Sequence, residues 1–377
     1  MRLHVFLNHY GTRLFVGVLA DTERGILFEY APEFLQRGIA LSPFYLPLKE
    51  GVFYDQEQTF NGLFGLFNDS LPDGWGLLLL DRALRKRGRE LGSLGQLERL
   101  AMVGTSAMGA LEYEPDLSLK ESNAMQELDV LAHEAAAILA DQSYTGNCLD
   151  DLLNLNSSFQ GARPKVLITA SDDQANMQWL VKFHARNDSP ETGMLEYRCS
   201  QAARLAGIAM PETRLFESLT CPGYFGVRRF DRHGKEKIHV HTACGLLHAP
   251  HTTPVLDYEN LIRLTSELTR NAHDVEQMVR RMIFNVLIGN MDSHSKNFSF
   301  LMDGAYHWHL APAYDITPCS GIGGQHWATV NGKGVDITVR DLTLAASIGG
   351  IPERRVLEFI GIASEAILSC GLKLNKL

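Results

Sequence analysis

Residues 271–302 read NAHDVEQMVRRMIFNVLIGNMDSHSKNFSFLM, and the first half of this stretch decides what the second half can be. Val275, Met278, Met282, Ile283, Val286 and Leu287 recur at helical spacing, make one apolar face, and stop at Gly289, a residue that ends helices. A buried helix therefore delivers the polar run GNMDSHSKN into a loop, and loops held on rigid anchors commonly carry function. Within that loop Asp292 and Asn297 stand in a D-x-x-x-x-N arrangement. A kinase catalytic loop uses this spacing to offer a carboxylate to a hydroxyl and an amide oxygen to Mg²⁺.

Downstream, NFSFLMDGAYHWHLAPAYDI (297–316) reads as strand, Asp303-Gly304 turn and strand. A hairpin of that kind returns the chain so that Asp315 comes beside Asn297. One carboxylate, one amide oxygen and nucleotide phosphates suffice for Mg²⁺, which keeps several of its waters. His294, between the two loop residues, can orient a phosphate or Asp292. Taken singly, each of these residues also suits a cap or a turn; the three in this order favour catalysis. His239 with His241, and His307 with His309, alternate as same-face pairs and read as ordinary strand surface rather than metal ligands.

Phosphoryl transfer also asks for cations against the nucleotide. PKVLITA (164–170) and MQWLVKFHA (177–185) flank the polar turn SDDQAN and predict an antiparallel pair carrying Lys165 and Lys182, near Gly161-Ala162. Lys182 shares a face with Leu180 while Val181 and Phe183 point the other way, an odd setting for a merely solvated lysine. Glu196, on the helix predicted from MLEYRCSQAARLAG and closed by Gly207, is the candidate for a Lys182–Glu196 ion pair. Neither G-x-G-x-x-G before Lys165 nor a Walker-type G-x-x-x-x-G-K-[ST] is present, so the usual phosphate loops are missing.

The remaining pattern predicts a β-hairpin at Tyr10-Gly11, strands at GILFEYA (25–31) and FYLPL (44–48), and helical spacing over 60–87 broken at Ser70, Pro72, Asp73 and Gly74. Strong helix formers over 125–140 predict a further helix, and ETRLFES and YFGVRRFD a hairpin around Cys221-Pro222-Gly223. From about residue 255 helices dominate. The 377 residues exceed one ordinary domain. The net charge of −9 disfavours a surface that broadly neutralises nucleic-acid backbones. The basic run Arg82, Arg85, Lys86, Arg87 and Arg89 reads as a solvated helix face. Six scattered cysteines without a C-x-x-C pair suit reduced thiols. No secretory core and no run near ~20 apolar residues is found, so a cytoplasmic location without membrane contact is expected.

Several segments together resemble the HipA family of bacterial toxin serine/threonine kinases: FEYAPEFLQRGIALSPFYLPL, FNGLFGLFNDSLPDGWG and VGTSAMGAL at the front, SSFQGARPK and VRRFDR in the middle, and FNVLIGNMDSHSKNFSFL, LAPAYDITP and WATVNGKG toward the end. The resemblance covers nearly the whole chain. It implies an α+β, protein-kinase-like two-lobed fold: an antiparallel β N-lobe over 116–235, a helical C-lobe over 236–377, and a small added α+β subdomain over 1–115. Asp292 would be the catalytic base with His294 beside the phosphates, and Asn297 and Asp315 the Mg²⁺ ligands. Gly161, Ala162, Arg163 and Lys165 would form the ATP loop, Lys182 would hold phosphate, and backbone near Arg229 and Phe230 would bind adenine. Ser158, with Ser157 adjacent, would be the autophosphorylation site. Gln160 stands where relatives often carry glycine, and Arg228 where the hinge is often acidic. Implied partners are a HipB-like helix-turn-helix antitoxin, DNA only through that antitoxin, and a protein of the translation machinery such as an aminoacyl-tRNA synthetase. A nucleotide-binding pseudokinase that acts by holding a partner is the alternative reading; a metallophosphoesterase lacks its upstream ligand clusters.

Overall fold

The computed structural model describes residues 1–119, 127–141, 148–155, 161–169, 177–185 and 188–377. Ser157, Ser158 and Gln160, and the turn SDDQAN, lie outside them. The chain divides into two units: Met1–Met194 with Arg214–His241 and Gly245–His248, and Leu195–Thr213 with Thr242–Cys244 and Ala249–Leu377.

The first unit opens with β1 (Arg2–His9), β2 (Thr12–Thr22) and β3 (Gly25–Tyr30), then α1 (Pro32–Leu35), β4 (Val52–Tyr54), α2 (Gly65–Asn68), α3 (Gly74–Lys86), α4 (Gln96–Val103) and β5 (Leu111–Glu114). The strands form one sheet in the order β4-β3-β2-β1-β5. Leu3, Val5 and Leu7 are fully buried while their neighbours are not, the period of two that a half-buried strand requires. Expected strand FYLPL is instead a turn, closed by the Leu46 N–H on the Ser42 carbonyl. Pro43 and Pro47 bracket it, and prolines cannot donate to a ladder.

Further on come α5 (Leu128–Ala140), α6 (Leu149–Leu155), β6 (Lys165–Thr169), β7 (Gln178–Lys182), α7 (Thr192–Leu205), β8 (Thr213–Phe216) and β9 (Tyr224–Arg228). A second sheet has the order β6-β7-β9-β8, with β6 and β9 both antiparallel to β7. Its core face carries Val166, Trp179, Val181 and Phe183, packed with Trp75 and Leu79 of α3 and with Leu131, Ala135 and Ile138 of α5.

Short strands β10 (Arg232–His233), β11 (Glu236–Lys237) and β12 (Val240–Thr242) precede α8 (Ala243–Leu246). The expectation of a strand surface at His239 and His241 is overturned, for both are buried. His241 bonds Asp69 at 2.6 Å and Ser42 at 3.0 Å, and the His239 N–H donates to His9 Nδ1 at 3.1 Å. In the basic run Arg85, Lys86, Arg87 and Arg89 are exposed, as a solvated face requires, and Arg82 is the exception. Arg82 is buried against Asp81, Arg85 also meets Asp81, Lys86 and Arg87 pair with Asp150, and Arg89 with Glu98.

The second unit is mostly helical: α9 (Tyr258–Thr269), α10 (Ala272–Ile288), the hairpin of β13 (Ser299–Met302) and β14 (Trp308–Leu310), α11 (Val339–Ser347) and α12 (Glu353–Ser369). Asn271 caps α10 through the His273 N–H, and Gly289 ends it in the left-handed region at φ 74°. The α+β class expected from the sequence is the class observed.

Candidate active site

The residues singled out from sequence fall into two sets. In the first unit, Lys165 and Lys182 are paired directly opposite each other across β6 and β7, on the face away from the core. Lys165 is buried and Lys182 half-buried, with its ammonium 5.8 Å from the centre of the Phe225 ring. Like charges directly opposite one another weaken a sheet, and an anion between them reverses that cost. Gly161, at φ 104°, stands just before β6, and a side-chain carbon there would lie 2.6 Å from the Lys165 Nζ. The lysine tip thus lies against the glycine, where the positive φ disfavours any other residue.

Two other predicted contacts are engaged within the protein. Arg163 forms an ion pair with Asp188, Nε to Oδ2 at 3.2 Å. The buried Arg229 guanidinium grips Asp231 through two bonds of 2.8 and 2.7 Å and reaches Gln178 at 3.1 Å, while its N–H donates to the Gln178 carbonyl. Arg229 and Arg232 hold the Asp231 carboxyl well below the usual carboxylate range, against the opposing effect of burial. Arg229 therefore fixes the strand end, and any adenine contact there belongs to backbone beyond its N–H. Phe230 is half-buried and Ala162 exposed.

In the second unit, α10 carries the acidic set. Its polar residues Asp274, Gln277, Arg281 and Asn285 are all buried, at helical spacing, and each holds a neighbouring segment. Asp274 accepts from Leu310 N–H, Gln277 spans Ala209 N–H and the Gly207 carbonyl, and Arg281 donates to the Ala311 carbonyl. Asn285 donates to the Tyr258 hydroxyl at 2.8 Å and accepts from Asn290 at 3.1 Å. Burial lowers Arg281 to about 10, which leaves it charged at neutral pH.

The loop beyond Gly289 is stitched to the segment after β14. Asn290 Nδ2 donates to the Asp315 carbonyl at 3.3 Å, Cys319 N–H to the Gly289 carbonyl, and Asp292 N–H to Cys319 Sγ at 3.1 Å. The Tyr314 hydroxyl bonds both Ser299 Oγ at 2.5 Å and the Lys296 carbonyl at 2.6 Å, tying the residue before Asp315 to the two ends of the Asn297 turn. Asn297 gives its amide nitrogen to the Asp292 carbonyl at 3.0 Å, a bond that leaves the side-chain oxygen available as an acceptor. Asp292 and Asp315 are exposed, and Asp315 sits at φ 57°, a region costly for residues other than glycine and more often tolerated by aspartate and asparagine. Hard oxygen donors on two loops tied by hydrogen bonds suit Mg²⁺. His294 is half-buried, its ring 5.6 Å from that of His251. Glu196 is buried on α7.

Sequence reading missed Asn285, Tyr258, Arg281 and Cys319. For α10 the signal was present: four polar residues on a repeat of three and four within an apolar helix mark a stripe that must be satisfied. Cys319, whose thiol burial pushes up, had none.

Residues 157–369 match the HipA-like C-terminal domain, and residues 3–114 the HipA N-terminal domain. The chain belongs to the HipA family. Among curated relatives it is similar to "Putative kinase Y4dM" of Sinorhizobium fredii, 26% identical over 42% of each chain. It is also 27% identical to "Putative kinase" of Haemophilus influenzae, over 43% of this chain and 53% of that one. The chain spans about half the length of the curated relatives it matches. Its fold is similar to HipA of Shewanella oneidensis, solved with HipB and operator DNA: TM-score 0.70 at 18% identity, covering 100% of this chain and 92% of that one. Among the described residues no helix is long and apolar enough to cross a membrane.

Proposed function

We propose that this HipA-family chain is an ATP- and Mg²⁺-dependent protein serine/threonine kinase, the toxin of a type II toxin–antitoxin pair. The observation that carries the reading is the hydrogen-bonded joining of the Asn290–Asn297 and Tyr314–Cys319 segments, which brings Asp292, Asn297 and Asp315 to one pair of loops. Asp292 accepts the proton as a serine or threonine oxygen forms its bond to the γ-phosphorus and ADP leaves. Asn297 and Asp315 would hold Mg²⁺, which neutralises charge on the phosphate oxygens. Lys165 and Lys182 take the phosphates, with Gly161, Ala162 and Arg163 forming the loop beside them, backbone at Arg229 and Phe230 facing adenine, and His294 near the transferred group.

In the same reading Ser158, or Ser157, is the autophosphorylation site, and the protein substrate is a component of translation such as an aminoacyl-tRNA synthetase. The partner is a HipB-like helix-turn-helix antitoxin that brings the toxin to DNA, and the location is cytoplasmic. The test is phosphate incorporation from labelled ATP by the purified chain, with growth arrest on expression as a second readout. Wild type is expected to exceed Asp292→Asn by about two to four orders of magnitude, the range for loss of a general base. Equal incorporation refutes the kinase reading; nucleotide binding without any transfer favours a pseudokinase that acts by holding its partner.

A further inference from the structure

Residues 70–76 read SLPDGWG, and Asp73 stands at the N-cap of α3. An aspartate in that position ordinarily accepts from an N–H in the first turn of its own helix. Asp73 makes no such bond. Its Oδ1 instead accepts the Gly161 N–H at 2.5 Å, across 88 residues of sequence. The Trp75 N–H then donates to the Gly161 carbonyl at 3.1 Å, and its indole Nε1 to the Lys165 carbonyl at 3.2 Å.

Both polar backbone groups of Gly161 are thus occupied by residues 73–75, and the first residue of β6 is secured by the same tryptophan. Trp75 is itself buried in the core with Val166, Trp179 and Val181, so the attachment is rigid. Two glycines permit the approach: a side-chain carbon on Gly74, at φ 43°, would lie 2.6 Å from the Gly161 oxygen. The holding segment lies within the region matched as the HipA N-terminal domain, whereas the loop it holds lies within the C-terminal match.

We propose that Asp73 is a positioning residue for the nucleotide: its carboxylate, through the Gly161 N–H, fixes the base of the loop so that Lys165 meets the phosphates. A charged acceptor makes a stronger bond to an N–H than a neutral one. With Gly161 committed to Asp73, the phosphates are left to Lys165, Lys182 and other N–H groups of the loop. This inference rests on the ATP reading above.

The experiment uses the full chain, with N-methylanthraniloyl-ATP and Mg²⁺ as the binding probe and steady-state transfer from ATP as the second readout. Asp73→Ala is expected to weaken binding and raise the KM for ATP about ten-fold while kcat stays within about two-fold; ten-fold corresponds to ~1.4 kcal/mol. Asp73→Asn, which retains an oxygen acceptor, should recover most of the loss. Gly74→Ala, which pushes Gly161 away without altering charge, should shift KM in the same direction. Asp73→Ala binding the probe as tightly as wild type, or more tightly, overturns the proposal, since the carboxylate would then be idle or competing with phosphate. A joint fall in kcat and thermal midpoint without a change in KM overturns it too, leaving a merely structural contact. Wild type that fails to bind the probe sinks the ATP reading and this inference together, whereas binding by wild type and Asp73→Ala alike sinks only this one.

Discussion

The paired-lysine face of the first unit and the acidic loops of the second are held by different physics. On the lysine face, β-sheet register sets Lys165 opposite Lys182, and one long-range carboxylate bonds Gly161. Around the acidic loops, a single buried helix supplies Asp274, Gln277, Arg281 and Asn285, which between them bond three other segments, at Leu310–Ala311, Ala209 and Tyr258. Register tolerates change at single side chains, because backbone bonds carry it. A buried polar stripe does not, because each lost partner leaves a polar group stranded without water. Substitutions in the two regions should therefore differ in kind: altered nucleotide affinity in the first, lost activity or stability in the second.

The largest effect is expected at Asp315. Asp315→Ala should reduce phosphate incorporation at least a thousand-fold while moving the thermal midpoint little, since the side chain is exposed. An equally large fall in midpoint would mean that Asp315 is structural and would erase the contrast.

Next comes Asn285→Leu. It removes one partner each from the Tyr258 hydroxyl and the Asn290 amide, costing about 1–3 kcal/mol in a denaturant titration and lowering activity with it. A variant that keeps full stability would show that the stripe is not what holds the loop. Lys182→Met should spare stability and raise the KM for ATP about ten- to a hundred-fold, as expected for one lost phosphate contact worth roughly 1.5–3 kcal/mol. An unchanged KM would take the lysine pair out of the nucleotide site.

A smaller, pH-dependent effect belongs to the first unit. Burial holds His239 well below its ordinary value near 6.5, and burial also lowers His248. For such a group the unfolded chain binds a proton below about 6.5 that the folded chain refuses, so stability is full above that pH and falls as the solution is acidified. The slope is up to about 1.4 kcal/mol per pH unit for His239. His241 and His9 face His239 and add to the effect, while Asp69 accompanies His241 and Asp55 lies near His248. Thermal midpoints between pH 7.5 and 5.5 should fall, and His239→Gln should flatten that fall.

Much of this fold was legible because its signals are local. The apolar period of α10, the Gly289 stop and the Asp303-Gly304 turn each act within a few residues, and the hairpin at Tyr10-Gly11 does the same. What was misread depended on distant partners. His239 and His241 look like strand surface until Asp69, Ser42 and His9 cover them. FYLPL has the composition of a strand, but its flanking prolines close it into a turn. In the candidate site, the D-x-x-x-x-N spacing singled out Asp292 and Asn297, and the hairpin singled out Asp315; the Asp73 contact spans 88 residues and leaves no periodic trace.

The most direct test is the affinity for a divalent ion in the presence of a non-hydrolysable ATP analogue, read by electron paramagnetic resonance of Mn²⁺. The account predicts tight binding by the wild-type chain that needs the analogue and weakens at least ten-fold in both Asn297→Ala and Asp315→Asn. Unaltered Mn²⁺ affinity in both variants would contradict it.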